Sequence, residues 1–270
     1  YGDLTRPLPL VGGDVDPEAF HAAMLAEFPN MTDAIARITD DLRLRRGAGV
    51  PWARFRPLLL VGPAGIGKTR FAKRVARLLG SGYGEVPAGG ASDNRMLAGT
   101  ARGWSTAQPA LPLLIMHRSQ TANPVILVDE IDKAGGSERN GDLRATLLGL
   151  LEMETARAWS DEALLAPCDL SQISWILTAN RAEPIAGPLL GRMAVITVRR
   201  PPASAFDTIL HAILRDLAAE LAVEPSMLPE LDEQSVEALR TAFVKGTPVR
   251  LLKAAVTRAL AASETVRVLN

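Results

Sequence analysis

Between residues 57 and 201 the chain repeatedly sets a short, almost wholly apolar run in front of a helical stretch. The runs are Leu58–Val61, 125–128, 173–177 and 194–198. Strands with one wet face alternate apolar and polar residues, so near-continuous apolar runs of this length predict strands buried on both faces. Alternation with helices then predicts an α/β domain, a parallel sheet sandwiched by helices.

The flanks differ from this middle. Pro7, Pro9, Gly12 and Gly13 mark an irregular lead-in, and a helical pattern runs over residues 16–46 with an interruption at Pro29. After Pro201 and Pro202 only helical spacing appears, with Phe206, Ile209, Leu210, Ile213, Leu217 and Leu221 as the first stripe. Val236, Leu239 and Phe243 form a second stripe, and Leu251, Leu252, Ala255, Val256, Ala259 and Leu260 a third. The expected organisation is a lead-in and helical segment over 1–50, a large α/β domain over 51–200, and a small all-α lid over 201–270.

The first apolar run leads directly into Gly62-Pro63-Ala64-Gly65-Ile66-Gly67-Lys68-Thr69, a complete G-x-x-x-x-G-K-[ST] loop, and a helical stretch beginning at Arg70 follows. Glycines in such a loop turn successive backbone N–H groups inward around phosphates, and the helix N-terminus adds partial positive charge. Lys68 is placed to bridge the β- and γ-phosphates of ATP, and the Thr69 hydroxyl to ligate Mg²⁺. Residues 62–70 are the expected nucleotide contacts. Further on, Val125-Ile126-Leu127-Val128 ends in Asp129-Glu130. Two acids closing a buried strand are costly unless they meet water or metal. Asp129 is expected to hold the Mg²⁺ hydration shell and Glu130 to polarise the attacking water. Asp132 and Lys133 read as a solvated pair at a helix start. Asn180 closes the next buried run and could position the same water; an ordinary strand-end turn is the other reading.

With these motifs the chain resembles the AAA+ ATPases, and among them the ATPase module of Lon-type proteases. Val128-Asp129-Glu130-Ile131-Asp132-Lys133 is similar to the Lon acidic motif, residues 161–180 to the stretch ending in sensor 1, and Pro188-Leu189-Leu190-Gly191-Arg192-Met193 to the segment carrying an arginine finger. The likeness covers residues 28–258. It implies Asn180 as sensor 1, Arg192 as a finger acting in trans on a neighbour's γ-phosphate, and Arg250 as sensor 2. A cap on its own turn is the competing reading of Arg192, and a plain salt bridge that of Arg250. Gly246, Thr247 and Pro248 predict a helix break, an N-cap and a first turn, so Arg250 sits where a cation opposes the helix dipole and an anion would be welcome.

The resemblance also implies a pore loop within 89–112 that grips polypeptide. Trp104 would be its aromatic, although the neighbouring residues depart from the family pattern. The glycine-rich stretch 135–141 would be a second axial loop. Trp52, Trp159 and Trp175 read as packing residues. His21, His117 and His211 lack metal-ligand spacing, and Cys168 has no evident base.

Composition bounds the partners. Thirty Lys+Arg balance thirty Asp+Glu, which weighs against a dedicated nucleic-acid surface. No apolar run has the length of a membrane span. The single cysteine and the lack of a visible secretory signal lead to the expectation of a cytoplasmic protein. The expected activity is Mg²⁺-dependent ATP hydrolysis that remodels or unfolds protein in a homo-oligomeric, hexameric ring. An ATP-gated assembly scaffold or switch is the alternative. No Ser/Lys proteolytic pair is visible, so no proteolysis is expected from these residues.

Overall fold

A computed structural model describes residues 2, 6–91, 93–137 and 141–269. By its internal contacts the chain divides into two compact units. One comprises the residues up to Met24, Asp33–Gly62 and Lys68–Thr197; the other comprises Leu25–Thr32, Pro63–Gly67 and the residues from Val198 onward.

Two helices open the chain, α1 (Pro17–Glu27) and α2 (Thr32–Gly47), and the break between them contains Pro29. The first unit is built on strands β1 (Leu58–Val61), β2 (Tyr83–Pro87), β3 (Val125–Asp129), β8 (Ser174–Ala179) and β9 (Ala194–Thr197). They form one sheet in the order β2-β3-β8-β1-β9, and every neighbouring pair is parallel. Two short antiparallel hairpins stand apart from it. One pairs β4 (Gly136–Ser137) with β5 (Gly141–Asp142), the other β6 (Trp159–Asp161) with β7 (Ala166–Cys168).

The apolar runs explain the layering. Leu59, Ile126, Val128, Trp175 and Leu177 join one buried cluster, together with residues of α5 (Leu111–Ser119) and α6 (Leu143–Leu151). Successive side chains alternate faces, and the neighbours Leu58, Leu60, Leu127 and Ile176 are buried too, at 0% exposure. On α3 (Lys68–Leu78) the residues Phe71, Ala72, Val75 and Ala76 are buried at i, i+4 spacing, and this helix packs on β3 and β8. Helices over both faces are what an all-parallel sheet requires.

One strand lies outside the expected runs and another departs from the expectation of full burial. β2 reads Tyr-Gly-Glu-Val-Pro and pairs only with β3, so its glycine, glutamate and proline are those of an edge. Gly84 is required there, since a Cβ would lie 2.7 Å from Ile115 Cγ1. β9 forms the opposite edge, and Val195 is exposed.

Parallel order brings the ends of β1, β3 and β8 to one rim. Val61 is in register with Ala179, and Val128 with Leu177. The Gly62 N–H donates to the Ala179 carbonyl at 3.0 Å, and Ala88 N–H to the Asp129 carbonyl at 2.8 Å. Loops leaving this rim are where α/β sheets bind ligands.

In the second unit α9 (Phe206–Glu220), α10 (Glu233–Val244) and α11 (Val249–Leu269) share a core of Phe206, Ile213, Phe243, Leu252 and Val256. The helical stripes therefore fold largely as expected, but Leu221 and Leu251 are exposed. α11 departs by one residue, because Leu251 and Leu252 N–H both donate to the Pro248 carbonyl. Pro248 rather than Thr247 occupies the cap position. Among the described residues no helix is long and apolar enough to cross a membrane.

Asp161 ties the β6–β7 hairpin to the start of α5. Its side chain is fully buried and accepts from Ala110 N–H at 2.9 Å, Ala163 N–H at 3.0 Å and Leu164 N–H at 2.8 Å. Asp161→Ala should leave these donors without a partner and lower stability by about 2–4 kcal/mol. Chemical denaturation of the variant against the parent measures this, and a loss under about 0.5 kcal/mol would contradict it.

Candidate functional site

The loop after β1 has the backbone its sequence asks for. Gly65 and Gly67 adopt φ of +75° and +98°, in the left-handed region open to glycine. In the second unit, Val249 N–H donates to the Gly65 carbonyl at 3.0 Å. A Cβ on Gly65 would stand 3.0 Å from Pro248 Cβ and 3.8 Å from Arg250 Cβ, so the first turn of α11 packs against this glycine. A cavity of about 180 Å³ in the same unit is lined by Ala64, Ile66, Arg200, Phe243, Gly246 and Pro248, among others.

In the first unit α3 begins at Lys68, whose side chain is buried at 8% exposure. Its ammonium donates to the Gly62 carbonyl at 2.6 Å. Burial draws its pKa below the ordinary lysine value, and the negative charges of Asp129, Asp132 and Glu130 oppose that shift. A desolvated cation at a helix start is an arrangement that favours an anion such as phosphate.

The acids at the end of β3 are tied to β8 by one hydroxyl. Thr178 Oγ1 donates to Asp129 Oδ1 and accepts from Glu130 N–H at 3.0 Å. Glu130 takes φ +58° and ψ +47°, an unusual conformation for a residue with a side chain. Its carboxylate lies so close to Gly89 that a Cβ there would be 2.6 Å from Oε2.

Of the expected solvated helix-start pair, Lys133 is exposed as predicted, whereas Asp132 is partly buried. Residues 131–133 form a 3-10 turn, which brings Lys133 Nζ to 2.6 Å from Glu130 Oε1. Asp132 Oδ2 accepts from Asn180 N–H at 3.1 Å, while Oδ1 is buried without a partner. The Lys133 hydrogen bond is the main reason that the Glu130 carboxyl sits below the ordinary carboxylate range, with a further hydrogen bond from Asn180 and the charge of Lys68 contributing. Glu130, Asn180, Lys68 and Asp129 are thus one cluster.

Arg192 follows α8 (Gly187–Leu190) and stands apart from that cluster in its bonds. Its Nη1 donates to the Pro188 carbonyl at 3.0 Å, and its Nε pairs with Glu152 Oε2 at 3.0 Å. The turn-capping contact is therefore made, and the side chain is about a third exposed. Trp104 lies in a loop closed by mutual hydrogen bonds between Thr100 and Gln108, beside Gly103 at φ +117°. At 72% exposure it packs against little. Residues 138–140 of the second expected axial loop lie outside the described residues.

The family described as "ATPase family associated with various cellular activities (AAA)" matches residues 58–200, more than half of the chain. The chain belongs to the AAA family of ATPases. Membership assigns it nucleotide binding and ATP hydrolysis. Among curated relatives of this AAA chain, the mitochondrial Lon protease homolog of Neurospora crassa is 35% identical over 196 residues, covering 73% of this chain and 18% of the relative. The peroxisomal Lon protease homolog 2 of Pichia angusta is 42% identical over 139 residues, covering 52% of this chain and 15% of the relative. Lon protease 2 of Myxococcus xanthus is 34% identical, covering 73% and 24%. The chain thus spans about a quarter or less of these proteins. In fold it is similar to Hsp104, in a closed-state cryo-electron microscopy structure with ATPγS and FITC-casein. The TM-score is 0.70 at 18% identity, covering 94% of this chain and 48% of the other.

Thr178, Asp132, Lys133 and Glu152 are the contributors that the motifs do not reveal. Thr178 had a signal, being a polar residue inside a buried strand that must find a partner. Lys133→Met should raise the pKa of Glu130 toward the ordinary value, since the largest cause of its depression is removed. An NMR titration of the Glu130 carboxylate reads this directly. An unmoved midpoint would show that the pair does not form in solution.

Proposed function

We propose that the chain is the ATP-hydrolysing module of a protein-remodelling ring. The observation that carries this reading is the buried Lys68 ammonium beside Asp129, Glu130 and Asp132, at the start of a helix entered through left-handed glycines. The amides of the 62–69 loop and Lys68 would hold the phosphates. In the second unit Arg250 lies on the helix turn that packs against Gly65 and would serve as sensor 2.

Mg²⁺ suits this donor set. Asp129 keeps one carboxylate oxygen clear of the Thr178 bond, and Thr69 follows Lys68 on the first turn of α3. When bound, the ion would neutralise charge that develops on the phosphate oxygens. The protein's own residues do the rest. Glu130 would take a proton from the attacking water, Asn180 would orient that water, and Lys68 would stabilise the γ-phosphoryl charge. Its lowered pKa leaves Glu130 ionised at neutral pH, the charge state a base needs.

Arg192 would act on a nucleotide held by a neighbouring subunit, leaving its pairing with Glu152 to do so. The Lon relatives and the Hsp104 structure with casein support a polypeptide substrate, and the exposed Trp104 suits a surface that grips one. The cytoplasm is the proposed location.

Lys68→Ala should abolish ATP binding. Glu130→Gln should bind ATP, hydrolyse it slowly and accumulate as a larger assembly in light scattering; a persistent monomer with ATP would overturn the ring. Arg192→Ala should bind ATP normally and lose about 10³-fold or more in hydrolysis. Mixing Arg192→Ala with Lys68→Ala subunits should restore part of the activity, because some sites then combine an intact loop with an intact neighbouring arginine. No gain on mixing would place Arg192 outside the neighbour's site.

A further inference from the structure

A second cluster of cations lies away from the phosphate loop and shares no residue with it. Arg45 comes from the last turn of α2, and Arg54 and Arg56 from the segment that leads into β1. All three line a cavity of about 380 Å³, together with Asp41, Leu44 and Phe55. That volume is at the small end of the range for small-molecule pockets.

Each arginine has a different status. Arg56 pairs with Asp41 through part of its fork, its Nη2 and Nε donating to Oδ1 at 2.6 and 2.9 Å while its backbone N–H donates to Oδ2 at 2.9 Å. Asp41 is buried and is spent on this pair. Arg45 rests against Trp52, its guanidinium 5.6 Å from the ring centroid, and Trp52 is itself fixed by a 2.9 Å hydrogen bond to Gln172. Arg45 is not needed to close its helix. The carbonyls of Leu44, Arg45 and Arg46 accept from the N–H groups of Ala48, Val50 and Gly49. Arg54 is the exception among the three, for its Nε is buried with no hydrogen-bond partner. Arg37 and Arg144 also leave a buried Nε unpartnered, but neither lines this cavity.

Three guanidinium groups therefore face one carboxylate, and that carboxylate is already committed. Desolvated charge is costly unless it is paired. The pKa values of both Arg45 and Arg54 lie below the ordinary arginine value, through burial first and, for Arg54, through the charge of Arg45 next. Guanidinium forks match planar or tetrahedral oxyanions and form strong charge-assisted hydrogen bonds with them.

We propose that this cavity binds a multivalent oxyanion of the phosphate or carboxylate class, with Arg54 as its central donor and Arg45 and Arg56 at its sides. The anion is either a free small molecule or the acidic side chains of a second copy of this chain. Since the site does not use the phosphate loop, its test is made in a Lys68→Ala background, where binding at that loop is weakened.

Calorimetry with pyrophosphate should detect binding to Lys68→Ala protein. Adding Arg54→Met should weaken it about tenfold or more, as expected for loss of a charge-assisted contact. Adding Arg37→Met should leave it unchanged. Circular dichroism checks that each variant is folded, and Arg45→Met serves in place of Arg54→Met if the latter is not. If pyrophosphate does not bind, sedimentation should show self-association of the Lys68→Ala protein that Arg54→Met abolishes, which assigns the anion to a second copy. Equal pyrophosphate binding with and without Arg54, or neither binding nor Arg54-dependent self-association, overturns the proposal.

Discussion

An ammonium group with 8% of its residue surface left in water is the fixed point of this fold. Lys68 cannot be buried at the end of a parallel sheet unless oxygen atoms meet it there. One is the Gly62 carbonyl, supplied by the same loop. The remaining compensation comes from acids on the neighbouring strand end, which explains why a strand as apolar as β3 finishes in two carboxylates. The sheet serves this need, since β1 and β3 flank β8 and all three parallel strands end at one rim.

That neighbour, β8, does more than fill the space between them. Thr178 is the one hydroxyl through which β8 holds both the Asp129 carboxylate and the Glu130 backbone. Asn180, two residues on, binds Asp132 through its backbone and Glu130 through its side chain. The acid cluster is thus a feature of two strands rather than of a short motif. The pKa of Glu130 is held down chiefly by Lys133, which approaches it where the backbone turns sharply after Asp129.

Much of this was legible from residue order. The apolar runs at β1, β3 and β8 carry the sheet, the glycine-rich loop leads into Lys68, and the paired acids mark the opposite side of the site. β2 was hidden because an edge strand tolerates glycine, glutamate and proline, which erase the apolar signal. The partnership of Lys133 with Glu130 was hidden for another reason. Spacing by three suggests neighbours in any helical turn, but the direction of a side chain depends on a left-handed backbone at Glu130 that no local pattern announces. Arg192 shows a further limit: its pairing with Glu152 joins residues distant in sequence, through packing alone.

The close approach of Gly89 to the Glu130 carboxylate has a mechanical side. The chain that grazes this acid continues, within the same unit, to the loop that displays Trp104 on the surface. One end of the segment is exposed to whatever touches the molecule, and the other sets the room available to a single carboxylate. Any side chain added at position 89 would have to displace that carboxylate, whose other oxygen is held by the Lys133 ammonium.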